Sequence, residues 1–171
     1  MIDIRQTATD ELLRQAEAIR LAAERLGPEI EQAAQLILDT EGKVVVTGMG
    51  KTGIIARKIA ATLASTGVTA LFLHAAEGIH GDLGMLAAGD VVIAVSQSGN
   101  TQELVSIIPY LHFVKTPIIA LTGNADSRLA TSADVVISTA IPEGYEPFGL
   151  VPTASTTVAL ALADALAVAL L

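Results

Sequence analysis

The most chemically informative segment of this sequence is Ser96-Gln-Ser-Gly-Asn-Thr101, which lies between an apolar run and a helical pattern. Hydroxyl side chains around a glycine let the backbone wrap an anion, and the start of the next helix adds free N–H groups and a positive dipole end. Ser96, Ser98 and Thr101 can each donate to phosphate oxygens. The same residue types also cap helices that bind no ligand. The segment predicts a phosphate site, with plain helix capping as the alternative.

A second glycine-rich loop, Gly48-Met-Gly-Lys-Thr-Gly53, follows an earlier apolar run. It matches the G-x-G-x-x-G pattern of dinucleotide sites, but the next strand ends Phe72-Leu-His74 without the acidic residue that binds ribose. It also resembles the end of a nucleotide P-loop, except that Val45 occupies the position of the required glycine. Both nucleotide hypotheses are therefore weak. Lys51 could contact a phosphate, polarise a carbonyl or stabilise an enediolate, or be a solvated surface lysine; its flanking glycines favour function.

Two further candidates are acid–base residues. His80 lies within Glu77-Gly-Ile-His-Gly-Asp82, and an imidazole can exchange a proton near neutral pH. A lone histidine is more often structural, and the run offers too few clear ligands to predict a metal site. Glu103 follows Thr101 in the first turn of a helix, close to any phosphorylated ligand. A carboxylate there ordinarily complements the helix dipole, and position alone favours that interpretation.

The elements that position these residues alternate between strands and helices. Apolar runs predict five strands, and amphipathic or apolar patterns predict the helices between them. The strands are 43–47, 69–73, 90–95, 117–121 and 134–138, and the helices are 5–26, 29–39, 52–65, 101–113, a short one near 127–130, and 153–171. This order predicts an α/β fold: a doubly wound, five-stranded parallel sheet with helices on both faces, whose ligands bind at the carboxyl ends of the strands.

The chain has no linker or repeat, so we expect a single domain, with residues 1–40 as an N-terminal helical extension of a core formed by 41–171. The extension is suited to pairing with another subunit. A composition that is 51% apolar and only 16% charged also favours a homo-oligomer, because a small monomer needs a polar surface.

The net charge and the two ends of the sequence argue against several classes of protein. The net charge of -8, without clustered Lys or Arg, argues against a nucleic-acid partner. The apolar segment Val158–Leu171 is shorter than the roughly 20 residues that span a membrane and contains Asp164, so we expect a buried helix. There is no cysteine and no apparent export signal, which predicts a cytoplasmic protein.

Four motifs in order give the chain a resemblance to a known family. They are the two glycine-containing loops above, the His-Gly-Asp-Leu-Gly run within 77–84, and Gly149-Leu-Val-Pro-Thr-Ala-Ser-Thr-Thr157. Together they resemble the sugar isomerase, or SIS, domain, with a sheet order like that of flavodoxin, and most of all its arabinose-5-phosphate isomerase branch. The resemblance extends from about Ile37 to Leu171.

The resemblance implies interconversion of ribulose 5-phosphate and arabinose 5-phosphate, towards the Kdo sugar of lipopolysaccharide or capsules, without cofactor or metal. It implies a homotetramer whose active sites borrow residues from neighbouring subunits. It places Lys51, His80 and Glu103 in the catalytic site: Glu103 as base, His80 as acid–base partner or ring opener, and Lys51 as electrostatic stabiliser. The phosphate-binding residues that it implies are Gly50, Thr52, Ser96, Gln97, Ser98 and Thr101.

The sequence departs from the family pattern in two places. Gly144 stands where the family has a glutamate three residues before Pro147, although Glu143 and Glu146 lie nearby and could substitute. The chain also stops at Leu171, where relatives continue to a further active-site histidine and often to paired CBS modules. These departures keep two alternatives open: a non-catalytic sugar-phosphate sensor, and an isomerase of another phosphosugar such as a hexulose or heptulose phosphate.

Overall fold

A computed structural model describes residues 3–171 as a parallel sheet with helices on both sides. The strands are β1 (Val44–Gly48), β2 (Ala70–His74), β3 (Val91–Val95), β4 (Ile118–Thr122) and β5 (Val135–Ser138). The helices are α1 (Ile4–Arg25), α2 (Glu29–Leu38), α3 (Gly50–Ser65), α4 (Ala75–Ile79), α5 (Gln102–Phe113), α6 (Arg128–Thr131) and α7 (Ala154–Ala169). Short 3-10 turns occupy Asp82–Met85 and Pro147–Gly149.

The sheet has the order β2-β1-β3-β4-β5, and all its strands are parallel. The chain moves outward from β1 to β2 and then crosses back to place β3 on the other side of β1. Strand order therefore reverses between β1 and β3, which is the crevice where such sheets bind ligands. Gly48 is in register with Val95, so the two candidate loops leave the sheet side by side. The predicted doubly wound fold and its flavodoxin-like order are confirmed.

Burial on both faces explains the composition of the strands. In each of β1, β3 and β4, all five residues are buried, as in a sheet covered by helices on both sides. Along β1, Val44 and Val46 pack into one apolar cluster and Val45 into the other, because successive side chains point to opposite faces. Helices α1, α2, α3 and α7 cover the first face, and α4, α5 and α6 cover the second.

Helix α1 packs on the α/β core through α7. Ala18 and Ala22 of α1 are buried in the same cluster as Val158 and Leu162 of α7. Thr157 donates a side-chain hydrogen bond of 2.8 Å to Gln15 across this contact. The segment that was expected to be a buried helix is thus one, and it supports α1. None of the helices within residues 3–171 combines the length and apolar character that a membrane crossing requires.

The structure differs from the sequence prediction mainly between β2 and β3. We predicted no element between the strands 69–73 and 90–95, and the structure has the short helix α4 followed by a 3-10 turn. Five-residue helices lack enough turns to show a periodic apolar pattern, so this segment had no recognisable signal. Helix α3 also begins at Gly50 instead of position 52, which brings Lys51 into its first turn.

Candidate functional site

A cavity of about 460 Å³ opens at the carboxyl ends of β1 and β3, between the two glycine-containing loops and the start of α7. Three separate parts of the chain form it: the first turn of α3, the loop before α5, and the segment 146–156. The lining residues are Met49, Lys51, Thr52, Gln97, Ser98, Thr101, Glu146, Gly149, Leu150, Pro152, Ser155 and Thr156. The cavity therefore occupies the crevice that the strand order predicts.

The loop before α5 is held in shape by its own hydroxyl groups. The hydroxyls of Ser96 and Thr101 lie 2.8 Å apart, and the Gly99 N–H donates to the Ser96 hydroxyl at 3.1 Å. Ser96 is buried and does not line the cavity, whereas Ser98 is exposed and does. The structure therefore brings Ser98 and Thr101 into the cavity and places Ser96 beneath them as a brace.

Two neighbouring segments clamp this loop from below. Gly99 has a φ of +64°, and a Cβ built on it would lie 1.9 Å from the Ser127 hydroxyl oxygen, so a side chain does not fit. The Gly99 carbonyl also accepts the Leu129 N–H at 3.0 Å. Gln97 accepts a hydrogen bond of 2.9 Å from the Thr139 hydroxyl, and its carbonyl accepts the Gly123 N–H.

The first turns of α3 and α5 show whether the loop residues serve only as helix caps. Within residues 3–171, no side chain caps the first-turn N–H groups of either helix. Thr101 occupies the N-cap position of α5, but its hydroxyl pairs with Ser96. Thr52 likewise donates to the Met49 carbonyl at 2.8 Å. The N–H groups that an ordinary cap would satisfy are thus left for another acceptor, which is the arrangement that binds an anion.

Charge in the cavity comes from two side chains. Among the described residues that line it, Lys51 is the one cation and Glu146 the one carboxylate. Lys51 is exposed and forms no salt bridge within residues 3–171. Gly50 precedes it with a φ of +57°, a backbone that glycine adopts without steric cost. Lys51 is therefore free to pair with an anionic ligand.

The other two predicted catalytic residues do not line the cavity of a single chain. His80 is exposed at the C-terminal end of α4, where its backbone N–H donates to the Glu77 carbonyl at 3.0 Å. Glu103 is half-buried in the first turn of α5, directly after the loop that contains Thr101. The structure thus brings together Lys51, Thr52, Gln97, Ser98 and Thr101, but not His80 or Glu103.

In the third wall of the cavity, the sequence had suggested Glu146, and equally Glu143, as a possible substitute for the family's glutamate, but it had not suggested Ser155 or Thr156. Glu146, Ser155 and Thr156 line this wall, and the Ser155 hydroxyl donates to a carboxylate oxygen of Glu146. Gly144, at the family's glutamate position, is exposed with a φ of +79° and does not line the cavity. The available signal was the motif 149–157, which supported the family resemblance without suggesting which of its side chains reach a ligand.

Comparison with known proteins agrees with this geometry. Residues 37–169 match the SIS domain. The chain is 48% identical over 147 residues to an arabinose 5-phosphate isomerase KdsD of Pseudomonas aeruginosa, covering 86% of this chain and 45% of that protein. It is 43% identical over 169 residues to the KdsD of Escherichia coli K12, covering 99% of this chain and 52% of that protein. The chain thus spans about half the length of the curated relatives it matches.

A solved structure, E. coli CFT073 c3406 in complex with arabinose 5-phosphate, superposes with a TM-score of 0.94 at 38% identity, covering 98% of this chain and 89% of that one. The superposition includes the sheet and the elements that form the cavity. Because the domain match and both relatives extend across most of the residues described above, this protein belongs to the SIS domain family.

Proposed function

We propose that the protein is an aldose–ketose isomerase that interconverts D-ribulose 5-phosphate and D-arabinose 5-phosphate through an enediolate. The observation that carries the proposal is the cavity. Around it lie two helix starts without a side-chain cap and a lysine without a salt bridge, as judged over residues 3–171. The similarity to arabinose 5-phosphate isomerases, and to a protein solved with arabinose 5-phosphate, supports this substrate.

The phosphate end of the substrate would bind between the two loops. Ser98 and Thr101 would donate from their hydroxyls, and Gln97 from its side-chain amide. Thr52 would donate from its backbone N–H, because its hydroxyl already donates to the Met49 carbonyl. The N–H groups around Gly50 and at the start of α5 would add backbone donors and the positive ends of two helices. Ser96 would act indirectly, by holding Thr101 in place.

The reaction requires a proton to move between adjacent carbons while negative charge develops on oxygen. Lys51 would stabilise that oxygen, as a cation preorganised in a cavity does most effectively. Glu103 would act as the base at carbon, and His80 as acid–base partner or ring opener. No cofactor is needed for this chemistry.

The position of His80 and Glu103 bears on assembly. Since neither lines the cavity of one chain, we propose a homotetramer in which neighbouring subunits complete each active site.

We further propose that residues 1–40 and 41–171 form one domain, that the protein works in the cytoplasm, and that its product supplies Kdo synthesis. The absence of cysteine is consistent with the cytoplasm.

A non-catalytic sugar-phosphate sensor is the second candidate. Gly144 in place of the family's glutamate favours this candidate. A sensor needs the phosphate-binding loops, but it does not need every group that transfers protons. A hexulose or heptulose phosphate also remains a candidate substrate, because the proposed phosphate-binding loops contact only the phosphorylated end, which all these sugars share.

Turnover of ribulose 5-phosphate tests the proposal, with arabinose 5-phosphate followed as product. We expect Lys51→Ala to lower kcat/KM by about 10²-fold or more, the range for losing a group that stabilises an oxyanion. Lys58→Ala is the matched control, since Lys58 lies on the same helix in an exposed pair with Asp164 and outside the cavity. Equal activity of the parent and Lys51→Ala would contradict the role of Lys51. A parent that binds arabinose 5-phosphate without turnover would favour the sensor.

A further inference from the structure

Glu146 is the residue whose position the proposed chemistry does not yet explain. It is the carboxylate among the described lining residues, in the same cavity as Lys51 and the phosphate loop. Its segment begins a 3-10 turn at Pro147 and contains two left-handed residues, Phe148 at φ +56° and Gly149 at φ +62°. This backbone leads from β5 over the cavity to the start of α7.

The Glu146 side chain is oriented by a buried partner. The Ser155 hydroxyl, on a residue that is 2% exposed, donates to one carboxylate oxygen of Glu146. This bond occupies Oε1 and leaves Oε2 for a ligand. A carboxylate held in this way has a defined direction in the cavity, which positioned proton transfer requires.

The reaction has a second proton transfer for which such a group is suited. When the base removes a C1 hydrogen from ribulose 5-phosphate, an enediolate forms with its charge on O2. Arabinose 5-phosphate then forms when a proton is added to C2, the O1 hydroxyl loses its proton, and O2 gains one. One group can perform the oxygen step by accepting the O1 proton and returning it to O2, so that it ends as it began and all protons balance.

We infer that Glu146 carries this proton between the two oxygens of the enediolate. The inference rests on the proposed isomerase function, in which Lys51 stabilises the same oxygens and Glu103 acts at carbon. Glu146 and Lys51 line the same cavity, so one ligand bound there can contact both the ammonium and the carboxylate. Ser155 is a positioning residue that acts through Glu146.

The test compares two readouts for Glu146→Gln in D2O. Glutamine keeps the size of the side chain and an oxygen that accepts the Ser155 hydrogen bond, but it cannot carry the proton. We expect net formation of arabinose 5-phosphate to fall by about 10²-fold or more, as for loss of a general acid–base group. Incorporation of deuterium at C1 of ribulose 5-phosphate, followed by NMR, should persist because the carbon base is intact.

Glu143→Gln is the matched control, with the same change of charge on an exposed residue of the same segment that does not line the cavity. It should match the parent in both readouts. A rise in melting temperature with arabinose 5-phosphate shows that each variant folds and binds. Undiminished isomerisation by Glu146→Gln would overturn the inference, and so would loss of deuterium exchange together with isomerisation. A parent that neither isomerises nor exchanges would instead refute the proposed function itself.

Discussion

At the scale of single residues, the two loops of the cavity use glycine for different reasons. Gly50 and Gly99 have similar left-handed backbones, with φ of +57° and +64°. A Cβ added to Gly50 would have no other atom within 4 Å, whereas a Cβ added to Gly99 would overlap the Ser127 side chain. Gly50 is therefore selected by backbone conformation alone, and Gly99 by conformation and by close packing beneath the loop that precedes α5.

This contrast predicts different effects of the same substitution. Gly50→Ala should lower the free energy of unfolding by about 1 kcal/mol, the cost of a left-handed alanine. Gly99→Ala should lower it by about 3 kcal/mol, because overlap with Ser127 adds to that cost. Denaturant unfolding of both variants and the parent measures the difference. Equal losses would show that the Ser127 contact relaxes freely and does not determine the loop.

At the scale of elements, Asp90 links the amino ends of β1 and β3, at the end of the sheet opposite the cavity. Asp90, just before β3, accepts the backbone N–H of Lys43 at 3.0 Å and of Ala87 at 2.8 Å, and it pairs with the Lys43 ammonium at 2.6 Å. Burial by itself would raise the pKa of Asp90, but the hydrogen bonds and charge of Lys43, with the Ala87 N–H, outweigh burial and hold that pKa below its usual range. This group ties β1 to β3, the strands that carry both loops.

Asp90→Asn should therefore destabilise the fold by about 2 kcal/mol at neutral pH, in the range for losing buried hydrogen bonds to a charged group. Because the folded-state pKa is depressed, the contribution of Asp90 is complete above the unfolded-state pKa of about 4 and is lost as pH falls through the folded value. The difference between parent and variant should shrink below about pH 4. Unfolding measured across acidic pH checks this, with the exposed Asp126→Asn as control. A difference that stays constant down to low pH would contradict the ionic role of Asp90.

At the scale of the whole molecule, α1 presents large apolar side chains to solvent. Leu12 and Leu13 are 70% and 64% exposed, while Ala18 and Ala22 on the same helix are buried against the core. Large apolar side chains exposed side by side on a helix are typical of a contact with another subunit. It agrees with the proposal that neighbouring subunits bring His80 and Glu103 to each cavity.

Leu13→Glu should then weaken self-association, because the charge would be buried in the subunit contact. The fold of each subunit should persist, since substitutions at exposed positions usually change stability by no more than about 0.5 kcal/mol. Sedimentation velocity over a range of concentrations measures the assembly. Ala61→Glu is the control, with an exposed residue of α3 outside the N-terminal extension. An unchanged assembly in Leu13→Glu would exclude this face of α1 from the interface.

The sequence alone was sufficient to predict the five strands, most of the helices and the position of the loop before α5, because these depend on local patterns. Buried strands such as Val91–Val95 appear as continuous apolar runs, and the residues of 96–101 lie together whatever the rest of the chain does. The order of motifs along the chain was likewise enough to indicate the SIS family, which the domain match confirms.

Only the tertiary structure decided which distant side chains share the cavity. Glu146 and Lys51 line the same cavity because β1 and β3 are adjacent and the chain returns after β5 to start α7 over their ends. Nothing in the spacing of residues 143–147 distinguishes Glu146 from Glu143; the turn at Pro147–Gly149 and the Ser155 hydrogen bond select Glu146. His80 resembled a site residue by its motif, yet the short helix α4 ends with it exposed outside its own cavity. Local patterns specify elements, whereas a site depends on contacts between elements far apart in sequence.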